Sequence, residues 1–474
     1  MSNPAFSTPA KHGTDFPKSG ERFSSMPTKW EMALLTIPQV GLMLCHLAIS
    51  LTDLWVAGKI GPGAQASLGA VTQVYALLML ITSLACSGAM TTVSQSLGAG
   101  LPKRASRYSG LVLGVSLLAG GAVGSMGLLL FSPILNLLEI SPEIRPIIST
   151  FIMAYCCQLP FNYAMTMLNS VFRAYRMMRL PLLALILAAG TNVLGSLGFG
   201  LGLWGLPNFG IAGVAWSTFG STILGFSFNL FSALHHGIFG FRFLPPWRWN
   251  RRAMPYLIKV GVPSALGQLA GQTGGLVTLA ILGSLEGNTT AIIAGMTLGA
   301  RIQSVIAFPV GALGMSMIVL SGHLLGAGEI AGLYRLARNV AAGTGMVILI
   351  PAILLIIFGE PIAGTMTNDP EVLKQALLFL PFACAGIPLM SAGMMLNSVF
   401  SGAGATRLTF LIGCTTQWLL GIPLGYLLSR FYAASGVYAG GFMAHLAGFI
   451  WMILLFRSKK WLEYGLRKRH TGGN

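Results

Sequence analysis

Charge is what this chain has least of. Only 9% of its 474 residues are Asp, Glu, Lys or Arg, against roughly a quarter in soluble domains. Such a chain cannot clothe a soluble fold of this length. With 54% hydrophobic residues and a mean hydropathy of +0.73, lipid must be its main solvent. Cysteine is also sparse and unpatterned. The six (Cys45, Cys86, Cys156, Cys157, Cys384, Cys414) lie in apolar runs without a CxxC pair or a Cys/His ligand cluster, which leaves them small core residues. No HExxH, DxxD or GxSxG stands in the apolar runs, so the chain is not expected to be an enzyme. Residues 1–29 lack an apolar h-region and are expected to be a disordered cytoplasmic tail, not a cleaved signal.

What is abundant is span-length apolar sequence. Twelve runs reach the ~20 residues a bilayer requires. They lie near 31–57, 66–92, 109–132, 147–170, 181–204, 211–236, 255–282, 289–318, 338–358, 372–399, 407–430 and 435–456. Sixty-one glycines and 24 prolines are dispersed through them, as suits helices that pack closely and bend in a membrane. Pro38, Pro263 and Pro309 fall inside spans. Of 29 basic residues, 24 sit in the tails and in alternate loops, while the opposite loops hold only Lys59, Arg145, Lys374 and Arg430. The positive-inside rule then puts both termini in the cytoplasm of a multi-pass inner-membrane protein. It also accounts for the net charge of +17 without nucleic acid.

The chain repeats itself. At an offset of 228, Leu168-Asn169-Ser170-Val171-Phe172 recurs as Leu396-Asn397-Ser398-Val399-Phe400, Pro160 falls on Pro388, and Arg179-Leu180 on Arg407-Leu408. Leu97-Gly98-Ala99-Gly100 recurs as Leu325-Gly326-Ala327-Gly328, and Arg107 falls on Arg335. At 225, Pro38 falls on Pro263 and Gly58 on Gly283. Each half has an even number of spans, so both enter from the same side, and the repeat is parallel about an axis along the membrane normal. The expected fold is all-α and membrane-integral, with twelve helices in two six-helix lobes. Its parts are a tail 1–29, an N-lobe 30–236, a basic cytoplasmic linker 237–254, a C-lobe 255–456 and a basic cytoplasmic tail 457–474. Such a pair encloses a cavity that rocking opens to either face, the architecture of a secondary transporter and expected here as a monomer.

Several stretches resemble the multidrug and toxic-compound extrusion (MATE) family. They are Leu51-Thr52-Asp53-Leu54-Trp55-Val56-Ala57-Gly58, Val93-Ser94-Gln95-Ser96-Leu97-Gly98-Ala99-Gly100, Gly210-Ile211-Ala212-Gly213-Val214-Ala215, Gly261-Val262-Pro263, Ala300-Arg301-Ile302 and Gly322-His323-Leu324-Leu325-Gly326-Ala327-Gly328. The similarity runs over residues 30–456. It implies a two-lobed exporter of amphipathic, often cationic, organic compounds in exchange for H⁺ or Na⁺. Flipping of a lipid or lipid-linked saccharide is the alternative within the wider superfamily. That activity calls for a strongly basic cavity, and the spans offer only Arg301.

An acid inside a membrane is costly and a functional candidate by default. Of the twelve acids only Asp53 lies within a span, in its outer part. The resemblance makes it the ion-coupling residue, with Asn192, Ser196 and Thr218 as partners. Ser196 stands where the family often has Asn or Asp; Asn192 and Ser196 serve equally as interhelical hydrogen-bonding residues. The second lobe has no carboxylate where some members hold Na⁺, reading Gly271-Gln272 and Leu389-Met390-Ser391 instead. H⁺ is therefore expected as the coupling ion, with Na⁺ possible and no other cofactor or metal. Pro38 is the expected bending point of the first helix. Gln268, Gln272, Arg301, Gln303 and Met390 are candidates to line the C-lobe cavity or simply to pack helices. His46 is a second polar group on the first span, and His323 reads as structural.

Overall fold

The computed structural model describes residues 29–137, 145–240 and 244–465. The tail 1–28 and most of the external loop carrying Glu139 and Glu143 lie outside the described residues, as do Arg242 and residues 466–474. Every regular element of the described chain is helical. The first lobe contains α1 (Lys29–Ile60), α2 (Pro62–Gly98), α3 (Pro102–Leu137), α4 (Arg145–Ala174), α5 (Arg179–Leu201) and α6 (Ile211–His235). The second contains α7 (Trp247–Gly283), α8 (Thr289–Ala327), α9 (Ile330–Gly364), α10 (Pro370–Gly402), α11 (406–431) and α12 (434–458).

Ten stretches of the described residues are long and apolar enough to cross a membrane. One of them, the 53 residues of 406–458, would be about 80 Å long if straight, more than twice a bilayer core. It doubles back at Tyr432 (φ −125°) and Ala433 (φ 48°). Glycine makes the hairpin possible, since a Cβ on Gly440 would come within 2.5 Å of the Gly425 Cα. Within α11 the bonding loosens to a π-helical turn over Thr415–Gly421. α4 falls below that apolarity because it carries Gln158, Asn162 and Asn169, and it is enclosed by α2, α3 and α6. Counting α4 and dividing 406–458 gives twelve spans.

The packing obeys the repeat. α1 packs on α5 as α7 packs on α11, α2 on α4 as α8 on α10, and α3 on α4 as α9 on α10. Between lobes, α2 meets α7 as α8 meets α1, and α2 meets α8 across the pseudo-twofold axis. The cores show how the lobes sit. At the basic end one apolar core joins both, running through Val93, Leu168, Phe172, Leu320, Leu396 and Phe400. At the opposite end the cores are separate, with Ala57, Leu68, Phe151 and Ala215 in the first lobe and Leu298, Leu355, Leu380 and Cys384 in the second. The two lobes thus form a V, joined at the basic end.

Two segments are more ordered than a linker or a tail. Residues 247–254 of the basic stretch between lobes are already the first two turns of α7. Beyond α12, residues 460–464 form a 3₁₀ turn whose Trp461 is fully buried. Its ring lies 5.5 Å from Phe400, 5.8 Å from Tyr334 and 6.0 Å from Phe456. The turn is held further by Tyr256 Oη donating to the Tyr464 carbonyl at 3.1 Å. Trp461→Ala is expected to cost about 3–5 kcal/mol, the usual loss for a buried Trp, read as a lower Tm of the purified protein.

Candidate coupling site

Asp53 lies on α1, seven residues before its end, and is only 5% exposed. Two neighbouring helices satisfy it. Ser196 Oγ, on α5, donates to Oδ1 at 2.8 Å. Thr218 Oγ1, on α6, faces Oδ2 at 3.3 Å and the carbonyl of Val214 at 3.0 Å. One hydroxyl has one hydrogen, so Thr218 donates to the carboxylate or to its own helix, not to both. Asn192 Nδ2, one turn from Ser196, donates to Thr218 Oγ1 at 3.1 Å. The Asn192 Oδ1 is buried with no partner among the described residues. The four residues expected on three separate helices are therefore in one cluster, and among the described residues no basic side chain pairs with Asp53.

Close helix packing sets these distances. A Cβ on Gly213 of α6 would strike the carbonyl of Phe199 on α5, and one on Gly195 of α5 would lie 2.6 Å from Ser217 Oγ. α5 and α6 cross backbone to backbone there, and the crossing carries Thr218 to the carboxylate. Below it runs a polar seam that the amino-acid pattern alone does not mark out. Thr222 Oγ1 faces Gln158 Oε1 at 3.2 Å and the Thr218 carbonyl at 2.8 Å, and Asn229 Nδ2 donates to Asn169 Oδ1 at 2.8 Å. The four-residue step from Thr218 to Thr222, one helical turn, is its only trace in the sequence.

The remaining candidates lie elsewhere. Pro38 is fifteen residues from Asp53, within the unbroken α1. His46 is two turns away on the same helix, exposed, and makes no hydrogen bond among the described residues. Gln268 and Gln272 on α7 and Arg301 on α8 are exposed, while Gln303 on α8 and Met390 on α10 are half-buried. All five belong to the second lobe, and the structure brings none of them to Asp53. The six cysteines are free thiols. No group of three or more His, Cys, Asp or Glu that could hold a metal occurs among the described residues.

Among the described residues, a two-lobed helical bundle holds one buried carboxylate between neutral donors, an arrangement that suits a membrane carrier. Comparison with known proteins agrees. The MatE family profile matches residues 38–197 and again 263–427, once in each half at nearly the repeat offset, and the chain belongs to this family of MATE transporters. It is 24% identical over 415 residues to the probable multidrug resistance protein YpnP of Bacillus subtilis, covering 86% of this chain and 90% of that one. It is 25% identical over 416 residues to the multidrug resistance protein PmpM of Pseudomonas aeruginosa, covering 84% and 83%. Its fold resembles that of the MATE transporter VcmN of Vibrio cholerae in the bent form, with a TM-score of 0.84 at 20% identity over 92% of this chain and 98% of that one.

Proposed function

We propose that this protein exports amphipathic organic compounds, cations among them, across the cytoplasmic membrane in exchange for H⁺. The observation that carries the reading is Asp53, a buried carboxylate whose side-chain partners among the described residues, Ser196, Thr218 and Asn192, are all neutral. Drug-resistance relatives favour efflux over lipid flipping. The basic end faces the cytoplasm by the positive-inside rule, so the V opens outward. A proton arriving from outside turns Asp53 from acceptor to donor. Thr218 then gives its hydrogen to the Val214 carbonyl and accepts from the acid, which reverses the bonding between α1 and α6. Pro38 has no amide for the Leu34 carbonyl, so α1 bends there at low cost. Bending of α1 closes the recess on the substrate's side, and rocking of the lobes completes the exchange.

One carboxylate implies one proton per cycle. A unit of pH is worth about 1.4 kcal/mol, and 100 mV about 2.3 kcal/mol per net charge moved. A monovalent cation exchanged for one proton moves no net charge and draws on the pH term alone. A second reading, Na⁺, is favoured by Asn192 Oδ1, which has no partner among the described residues and with Asp53, Ser196 and Thr218 would supply three kinds of oxygen from four residues. Purified protein in liposomes, given either gradient and a fluorescent cation, separates them. Transport driven by a pH gradient and indifferent to Na⁺ is expected. Movement under a Na⁺ gradient alone would transfer the site to Na⁺, and lipid translocation without cation movement would overturn the export reading.

A further inference from the structure

The lobes meet at the basic end through contacts that obey the 228-residue offset. A Cβ on Gly98 would strike the His323 carbonyl, and one on Gly326 would strike the Gln95 carbonyl. Gln95 and His323 are repeat mates, as are Gly98 and Gly326. Ser94 meets its own mate Gly322, so the pseudo-twofold axis passes between them. α2 and α8 touch closely because one residue of each contacting pair is a glycine.

Among the hydrogen bonds that cross between the lobes here, two obey the same symmetry, while Thr91 Oγ1 donating to the Ser401 carbonyl at 2.9 Å has no counterpart because its mate is Val319. Gln95 Nε2 donates to the Gly402 carbonyl at 2.7 Å, and His323 Nε2 bonds the Ala174 carbonyl at 2.8 Å. A carbonyl only accepts, so Nε2 carries the hydrogen. Ala174 and Gly402 are again mates, the last residues of α4 and α10. The helix ends are alike. Met177 N–H bonds Phe172 and Arg176 N–H bonds Arg173, both at 2.9 Å; Ala405 N–H bonds Phe400 at 2.8 Å and Gly404 N–H bonds Ser401 at 3.0 Å. Arg176 (φ 62°) and Gly404 (φ 85°) take the left-handed turn. This closure uses the carbonyls before the last helical residue, and presents the last one to a side chain of the other lobe.

We propose that these two crossed bonds, seated on Gly98 and Gly326, are the latch that closes the cleft at the basic end. Each lobe caps a helix end of the other, and symmetry makes both bonds break together when the lobes part. The inference rests on the rocking exchange proposed above. Amide, imidazole and carbonyl re-bond to water, so each bond biases closure only about two- to tenfold, and the latch opens once per cycle. His323 stands where its mate is glutamine, so His323→Gln restores full symmetry and keeps a donor.

Hydrogen exchange read by mass spectrometry on the full-length protein in nanodiscs tests this. Gln95→Leu and His323→Leu are each expected to speed exchange at 94–101 and 322–329 by roughly two- to tenfold. The double variant should multiply the two effects, His323→Gln should stay at the wild-type rate, and amides 192–201 beside Asp53 should not change. Basic-end exchange left at the wild-type rate by both leucine variants would overturn the latch, as would His323→Gln behaving like His323→Leu. A leucine variant that exchanges fast throughout has lost its fold. Gln95→Asn and His323→Asn, which stay polar but fall short of the carbonyl, then decide: faster exchange confined to the basic end supports the latch, and wild-type exchange there overturns it. Failure of the export reading is separately visible: exchange would change as expected in a protein that moves no substrate in liposomes.

Discussion

Asp53→Asn is expected to reduce gradient-driven export to the protein-free background while leaving the fold and substrate binding intact. Asparagine has the shape and neutrality of the protonated acid. Its carbonyl still accepts from Ser196, which lies 2.8 Å from Oδ1 in the native cluster, and its amide still reaches Thr218. It cannot release a proton, so the exchange between α1 and α6 stops in one state. Reconstituted variant should bind a fluorescent cation within a few-fold of wild type, unfold at an unchanged temperature, and show no pH-driven transport. Ser196→Ala is the graded counterpart. It removes one hydrogen bond to a charged group, worth about 1.5–3 kcal/mol, and should slow export without ending it. Full pH-driven transport by Asp53→Asn would remove Asp53 from the mechanism and leave the bilobed carrier standing.

Much of this architecture was legible because lipid imposes so few solutions. Backbone polar groups must be satisfied within each span, so length and apolarity alone placed the helices, and the break expected between 430 and 435 is the turn at Tyr432 and Ala433. Asp53 stood out because acids are rare, 12 in 474 residues, and its partners followed from the family resemblance. Other features depend on groups far apart in sequence. Gln95 and Gly402 are 307 residues apart, and His323, read as structural, shows its partner only when the lobes are in place. Trp461 sits among basic residues that read as a tail. Its burial depends on a pocket formed by α9, α10 and α12 that no local pattern describes. Charge placement marks the ends of helices well, but it does not say which exposed residues of the second lobe face the cleft.

Two glycines on α6 separate the polar chemistry of the site from the packing that delivers it. At Gly213 a single methyl group would meet the Phe199 carbonyl of α5 and the Gly200 nitrogen at 2.8 Å. Backbone atoms cannot rotate aside, so Gly213→Ala must push α6 away from α5, a strain of about 1–3 kcal/mol. The Thr218 hydroxyl, already 3.3 Å from Asp53, then leaves hydrogen-bonding range, and the carboxylate loses a bond worth about 1.5–3 kcal/mol. Transport is expected to fall roughly tenfold or more, a factor of ten for each 1.36 kcal/mol of barrier, although no polar residue has been changed. Gly220 lies two turns along the same helix and is exposed, with nothing within 4 Å of an added Cβ. Gly220→Ala should keep wild-type transport and gain up to about 1 kcal/mol from helix propensity. Equal losses from both variants would mean that α6 tolerates no alanine for reasons unrelated to the α5 crossing. Loss at Gly213 alone, with Tm falling there and holding or rising at Gly220, ties transport to the distance between Thr218 and Asp53.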